Sequence, residues 1–496
     1  MLRLIAFFIL LISLISVQAS DSPVTGPEPL TQEIEDLMAS FKLDAAQAKV
    51  DRLAAIGYPG YAAYYRGNLL VYRHLGRMDA GSFRLFQNEF EGLLTKLGNI
   101  SSQDPHKEVM LGELHCKRAL LEFLHHNYLS AAQHARLGRQ HINQNAQRFP
   151  NDPSQLKMLG LFNVVLGAVP SRYQWLTNML GFSGDFKAGI EQLKKAAKEG
   201  RLLAMESEVI LYHVDKSILN QSDQAIARLK TARAQRGPNL VLDYMLATGL
   251  MNIKQNEEAL RILYRRDLYS NSDVYFIPFW DYQLGKAYYY KGDMTRARRY
   301  LARFIRDYHG AMFRTDAHFR MGMALTLSGH YDLGKPFFQA VAEGSSDQFE
   351  EDSYARHMAG LFAQNPPSET VQKLFRTRNY YDGGYFDQAM TTLRSMDFGT
   401  LNTDDKAEWH YRYGRILHSQ GKLSDAMGHY QECLALQVSE DHRYMHAYSA
   451  FFQADIARAK NDLVKARQYY RQALSYNDYF YQDGLENRCK AALASL

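Results

Sequence analysis

Apolar positions recur along most of the chain at three- and four-residue spacing, and no long segment alternates apolar with polar. That pattern predicts an all-α fold. Gly60 to Leu75 with Asp79 to Leu97 reads as one helix pair, and Glu108 to His126 with Leu129 to Arg148 as a second, closed by the Pro-rich stretch 149–153. The pattern sharpens downstream. Leu284-Gly285-Lys286-Ala287-Tyr288 is followed by Gly292, Ala297 and Leu301. Met321-Gly322-Met323-Ala324-Leu325 is followed by Gly329, Gly334 and Phe338, and Tyr413-Gly414-Arg415-Ile416-Leu417 by Gly421, Ala426 and Tyr430, all at matching offsets. Each position has a physical role. The early glycine lets the second helix of a pair approach the first. The later glycine suits a left-handed helix end. The small residue of the second helix sits at the crossing, and the bulky residue four positions on fills the gap.

The small position continues as a ladder through Gly189, Ala225, Ala259, Ala297, Gly334, Ala389, Ala426 and Ala466. The long step from Gly334 to Ala389 holds the acidic run 347–352 and Pro366-Pro367, and predicts an extra helix through Gln364 and an elbow near 344–368. The offsets resemble the tetratricopeptide pattern. The resemblance implies helix-turn-helix units stacked into a right-handed superhelical solenoid. Within 161–193, a Pro-started helix at Pro170 and the turn Gly181-Phe182-Ser183-Gly184-Asp185 resemble a motif of the inclusion-body-clearance type of tetratricopeptide proteins. The expected organisation is a signal peptide over 1–19, a flexible leader over 20–30, a helical array over 31–345, an extra helix and linker over 346–368, and a second array over 369–496.

Composition changes this picture little. A chain of 496 residues exceeds what one core usually supports, which suits a repeat array. A net charge of +5 over that length is mild and does not point to nucleic acid. Cys116, Cys433 and Cys489 lie far apart and suggest neither a disulfide framework nor a zinc site. The N-terminus adds an address: Arg3, an apolar run from Leu4 to Ser16, and Val17-Gln18-Ala19 form a secretory signal, with cleavage expected after Ala19. Ser20 rather than Cys follows, so no lipoprotein is indicated, and no further stretch predicts a membrane span.

Catalytic signatures are missing: no HExxH, GxSxG, phosphate loop or calcium loop occurs. His442 and His446 share a helical face without an obvious third ligand. The arginines at 296, 298, 299, 303 and 306 read as a solvated outer face, with docking to anionic lipid or an acidic partner as the alternative. First helices normally line the concave wall of such a solenoid. The register then assigns a partner-binding groove to Tyr282, Lys286, Tyr289, Phe319, Tyr411, Arg415, His418, Phe451, Asp455 and Arg458, with Tyr282, Phe319, Tyr411 and Phe451 in equivalent positions. The competing reading packs those rings between neighbouring helices. The sequence therefore predicts an exported, non-catalytic repeat scaffold without a cofactor. It is expected in a periplasm or cell envelope, holding a protein or extended peptide during assembly or secretion. The alternative is a periplasmic solenoid for a small molecule or glycan.

Overall fold

A computed structural model describes residues 27–167, 184–200, 202–203, 205–219, 221–237, 239–269, 276–310, 312–344, 350–494 and 496. The described residues form 24 α-helices with short 3-10 and π segments and contain no strand. Consecutive helices pair as antiparallel hairpins, and the hairpins stack side by side. The expected signal peptide and most of the Gly-Phe-x-Gly-Asp turn lie outside the described residues.

The ladder of small residues has one structural meaning. Gly189, Ala225, Ala259, Ala297, Gly334, Ala389, Ala426 and Ala466 are each the fourth residue of the second helix of their hairpin, and all are buried. The glycine of each first helix faces the bulky residue that the register pairs with it. A Cβ on Gly285 would lie 2.8 Å from Leu301, one on Gly322 2.7 Å from Phe338, and one on Gly414 2.8 Å from Tyr430. Gly292, Gly329 and Gly421 have φ of +81°, +81° and +74°, the left-handed conformation that lets the chain reverse between helices.

One local expectation shifts. Residues 28–30, expected in the leader, open the helix Glu28–Ala39. A proline in a first helical turn needs no backbone donor and has the right φ, so Pro29 favours this start. The described part of the acidic run, Glu350, Glu351 and Asp352, begins the expected helix Glu350–Gln364, which packs back on Tyr331–Ala342 and Arg314–Thr326. After Pro366-Pro367, the helix Glu369–Gly383 lies against Ile277–Lys291. Gly384 is pressed so closely to the Lys254 carbonyl that a Cβ would fall 1.9 Å from its oxygen. Gly310 meets the Arg77 carbonyl just as tightly. The solenoid thus closes on itself across distant repeats.

First helices from five hairpins converge on a buried ionic cluster. Lys157 lies 2.8 Å from Glu113 and 2.7 Å from Glu206, and Lys117 lies 2.7 Å from Glu206. Tyr64 donates to Glu113 at 2.5 Å and Tyr72 to Glu206 at 3.2 Å. Glu35 accepts from the Tyr65 hydroxyl at 2.6 Å and the Leu203 N–H at 3.2 Å, both on Oε1. Burial raises the Glu35 carboxyl to about 7, despite those two donors and nearby Lys157.

The apolar interior forms two clusters. One runs from Ile34 to Phe375 and the other from Leu374 to Ala492. The helix Glu369–Gly383 therefore contributes adjacent residues to two separate cores.

Candidate functional site

The residues that the register assigns to a groove do not form a line of exposed rings. Tyr282, Tyr289, Phe319, Tyr411 and Phe451 are all buried. Phe319 sits in an aromatic cluster with Phe338, Phe362 and Phe375, at centroid distances of 6.0, 6.4 and 6.1 Å. Tyr282 stacks on Phe313 at 4.7 Å and donates to Asp316 at 2.7 Å. Phe451 lies 5.7 Å from Tyr470, under the Arg488 guanidinium at 5.1 Å. The rings make a floor between helices. The polar groups standing on that floor give the wall its chemistry.

One run of that wall is continuous. The ammonium of Lys216 lies 5.7 Å over the Tyr212 ring, and that of Lys286 is 5.7 Å over Tyr290. Among the described residues neither has a carboxylate within ion-pair distance. Burial, reinforced by repulsion from Lys286, lowers Lys216 to about 8. Arg320 follows, its guanidinium 5.2 Å from Tyr289 and 5.4 Å from Tyr290. It binds Asp316 at 2.5 Å. Burial opposes the charge of Asp316, but Arg320 and Lys286 hold its carboxyl below the usual range.

Arg378 continues the run from the helix Glu369–Gly383, 5.2 Å from Tyr354. Arg415 is ringed by Tyr381 at 4.4 Å, Phe452 at 5.1 Å and Tyr411 at 5.7 Å. Its Nε is buried without a hydrogen-bond partner. Lys254 reaches the Tyr381 ring from the first array at 4.6 Å. Asp382 is the shared counter-charge: burial works against it, yet Arg378, Lys254, Arg415 and Arg412 hold it ionised. Arg412 pairs with Glu408 at 2.7 Å. Cations thus sit on tyrosine faces, an arrangement that orients a charge while leaving its far side free for an anion.

Tyr282, Lys286, Tyr289, Tyr411 and Arg415 belong to this run. His418, Phe451, Asp455 and Arg458 follow on later turns. His418 lies edge-on to Phe452 at 5.8 Å, Asp455 accepts from the Tyr470 hydroxyl at 2.6 Å, and Arg458 is exposed, 3.7 Å from Asp455. The register missed Lys216, Lys254, Arg320, Arg378 and Asp382. Its one available signal was the Arg-x-x-x-Asp spacing of Arg378 and Asp382 on a helix bearing Tyr380 and Tyr381. No group of three or more His, Cys, Asp or Glu among the described residues is placed to hold a metal, and His446 packs against Tyr476 at 5.8 Å. All three cysteines are free, and burial pushes the thiols of Cys433 and Cys489 up to about 12.

Residues 154–345 match the family model described as Iml2/Tetratricopeptide repeat protein 39. The described residues form a tetratricopeptide-like helical repeat fold, and the family match covers 154–345 of it. The matched region contains the segment 161–193, whose motif carried the finer resemblance. A relative of this repeat protein is the Photosystem I assembly protein Ycf3 of Cyanophora paradoxa, 29% identical over 103 residues, or 20% of this chain. The chain spans 58% of that relative's length. Among solved structures, a monomeric IFIT1 mutant with Gppp-AAAA aligns over 87% of this chain and 94% of its own, at 13% identity and a TM-score of 0.32. The APC/C hetero-tetramer Cut9-Hcn1 aligns over 95% and 91%, at 14% identity and a TM-score of 0.28. No helix among the described residues of the repeat protein is long and apolar enough to cross a membrane.

Proposed function

We propose that this repeat protein is an exported, non-catalytic assembly scaffold, and that its inner wall from Lys216 to Arg415 grips an extended, acidic segment of a protein partner. The observation that supports this most is the imbalance on that wall. Among the described residues, Lys216, Lys254, Lys286, Arg320, Arg378, Arg412 and Arg415 have Asp316, Asp382 and Glu408 as neighbouring carboxylates. The tyrosine floor suits apolar side chains placed between the partner's carboxylates. Ycf3, named as an assembly protein, favours an assembly role over transport of small molecules. Export rests on the apolar N-terminus and its Val17-Gln18-Ala19 ending.

The test is fluorescence anisotropy with a labelled twelve-residue peptide (about that length spans four repeats' first helices) rich in Glu and Leu. A Lys-rich peptide of equal length and a single-stranded oligonucleotide serve as the other arms. The Glu-rich peptide is expected to bind in a salt-sensitive way. Lys286→Gln with Arg415→Gln is expected to weaken it about tenfold or more, with helical content and melting retained. Undiminished binding in that variant moves the site elsewhere. A preference for the oligonucleotide replaces a protein partner with a nucleic acid.

A further inference from the structure

The helix Met294–Asp307 buries Met294, Ala297, Leu301 and Phe304 and turns its arginines outward. Arg296, Arg299 and Arg306 are exposed and Arg303 half-buried. The neighbouring segment Tyr264–Tyr269 extends the same surface. The Tyr264 hydroxyl bonds that of Tyr288, the ring over which Arg296 lies at 5.3 Å. Asp281, which binds Arg266 at 2.9 Å, also feels Arg303. These contacts bring Arg261, Arg265, Tyr264 and Leu268 beside the arginine helix.

Two properties set this surface apart from an ordinary solvated face. First, its acids are already engaged. Asp293 caps the helix and lies 3.2 Å from Arg296, Asp307 lies 2.6 Å from Arg306, Asp281 is bound by Arg266, and exposed Asp267 in the segment Tyr264–Tyr269 itself also has a partner. Arg261, Arg265 and Arg299 are exposed and make no ion pair among the described residues. Second, large apolar side chains protrude among the cations. Leu268 is 65% exposed and Tyr264 55%. A nucleic acid supplies charge for the arginines but leaves Leu268 in water, and an acidic protein would have to bring an apolar patch matched to that one position. An anionic bilayer meets both needs, because arginines contact headgroups while a leucine and a hydrogen-bonded tyrosine enter the interface.

We propose that the face formed by Met294–Asp307 and Tyr264–Tyr269 docks peripherally on an anionic lipid surface, with the inner wall left open to its partner. Such contact fits an assembly factor working beside a membrane without spanning it. The proposal does not depend on the inner-wall reading, because its residues lie on second helices and their flanking turn.

The test is co-flotation of the full-length mature chain with phosphatidylcholine vesicles and with vesicles containing about a third phosphatidylglycerol. Binding is expected only to the anionic vesicles and to fall steeply with salt. Arg265→Gln and Arg299→Gln are each expected to weaken it about fivefold. Leu268→Ser is expected to remove the salt-resistant remainder, about tenfold. All three positions are exposed, and circular dichroism checks that each variant folds. Equal binding to neutral vesicles, no binding to either, undiminished binding in the arginine variants, or a preference for a DNA duplex over anionic vesicles overturns the proposal.

Discussion

Replacing Glu35 with Gln tests the closed interior of the first half most directly. Glu35 is buried, with both accepted hydrogen bonds on one oxygen. The amide oxygen of Gln can keep both bonds, so the substitution removes the ionisable proton with little change in packing. The folded carboxyl titrates near 7 against an ordinary 4.5. Between those values the folded state holds a proton that the unfolded state has released, so stability falls as pH rises from 4.5 and levels off above 7. The full gap is worth about 3 kcal/mol, at ~1.4 kcal/mol per pH unit. Glu35→Gln should therefore be neutral near pH 4, stabilising by about 1 kcal/mol near pH 5.5, and by about 3 kcal/mol above pH 8. Hydrogen exchange by mass spectrometry reads this locally, with wild type and variant compared at each pH. Amides in Glu28–Ala39 and Pro59–Arg77 should gain about a hundredfold protection at pH 8.5 and almost none at pH 4. A gain that does not vary with pH, or a loss at every pH, would mean that Tyr65, Leu203 and Lys157 hold Glu35 ionised, and the argument fails.

Further expectations follow from the same contacts. Lys157→Met leaves Glu113 and Glu206 short of a buried cation and should destabilise the first array by about 3–5 kcal/mol, measured by urea unfolding. Gly189→Ala places a Cβ 2.8 Å from the Gly160 oxygen and the Val164 nitrogen, backbone atoms that cannot swing aside, and should cost about 1–3 kcal/mol. Gly428→Ala meets nothing within 4 Å inside the helix Leu423–Ala435 and should add about 0.5–1 kcal/mol; if the two behave alike in thermal melts, the close-packing argument is wrong. Lys216, lowered to about 8 by burial and Lys286, is more nearly neutral at pH 8 than an ordinary lysine. It should acylate ahead of exposed Lys460 in peptide mapping, and a bound acidic peptide should slow it. On the proposal of export, the mature N-terminus should be Ser20; an intact Met1 in the membrane fraction would indicate an anchor.

The repeat was legible because its marks are local. A glycine facing a residue sixteen positions on, as in Gly285 with Leu301 or Gly414 with Tyr430, depends only on one hairpin's geometry. The surfaces were less legible because they depend on how hairpins accumulate. Whether Phe319 faces a groove or a neighbour is decided by Phe362 and Phe375, which arrive on the extra helix and the helix after it. Register alone carries no record of that return. For the same reason the aromatic positions were found but expected as an exposed line of rings rather than a buried floor, while Arg320 and Arg378 were overlooked. The buried cluster around Lys157 is harder still, since Glu35, Glu113 and Glu206 come together only once five hairpins have stacked.

The helix Glu369–Gly383 places Leu374 in one core and Phe375 in the other. Mechanically it is a shaft seated in two bearings. Turning it to ease one side chain displaces the next, so torque on either array passes to the other without a separate linkage. Arg378, Tyr381 and Asp382 ride on that shaft, so an occupant bound to them loads both bearings at once. Pulled from its ends, the chain should yield in two steps, and a ligand on those three residues should raise the force of both.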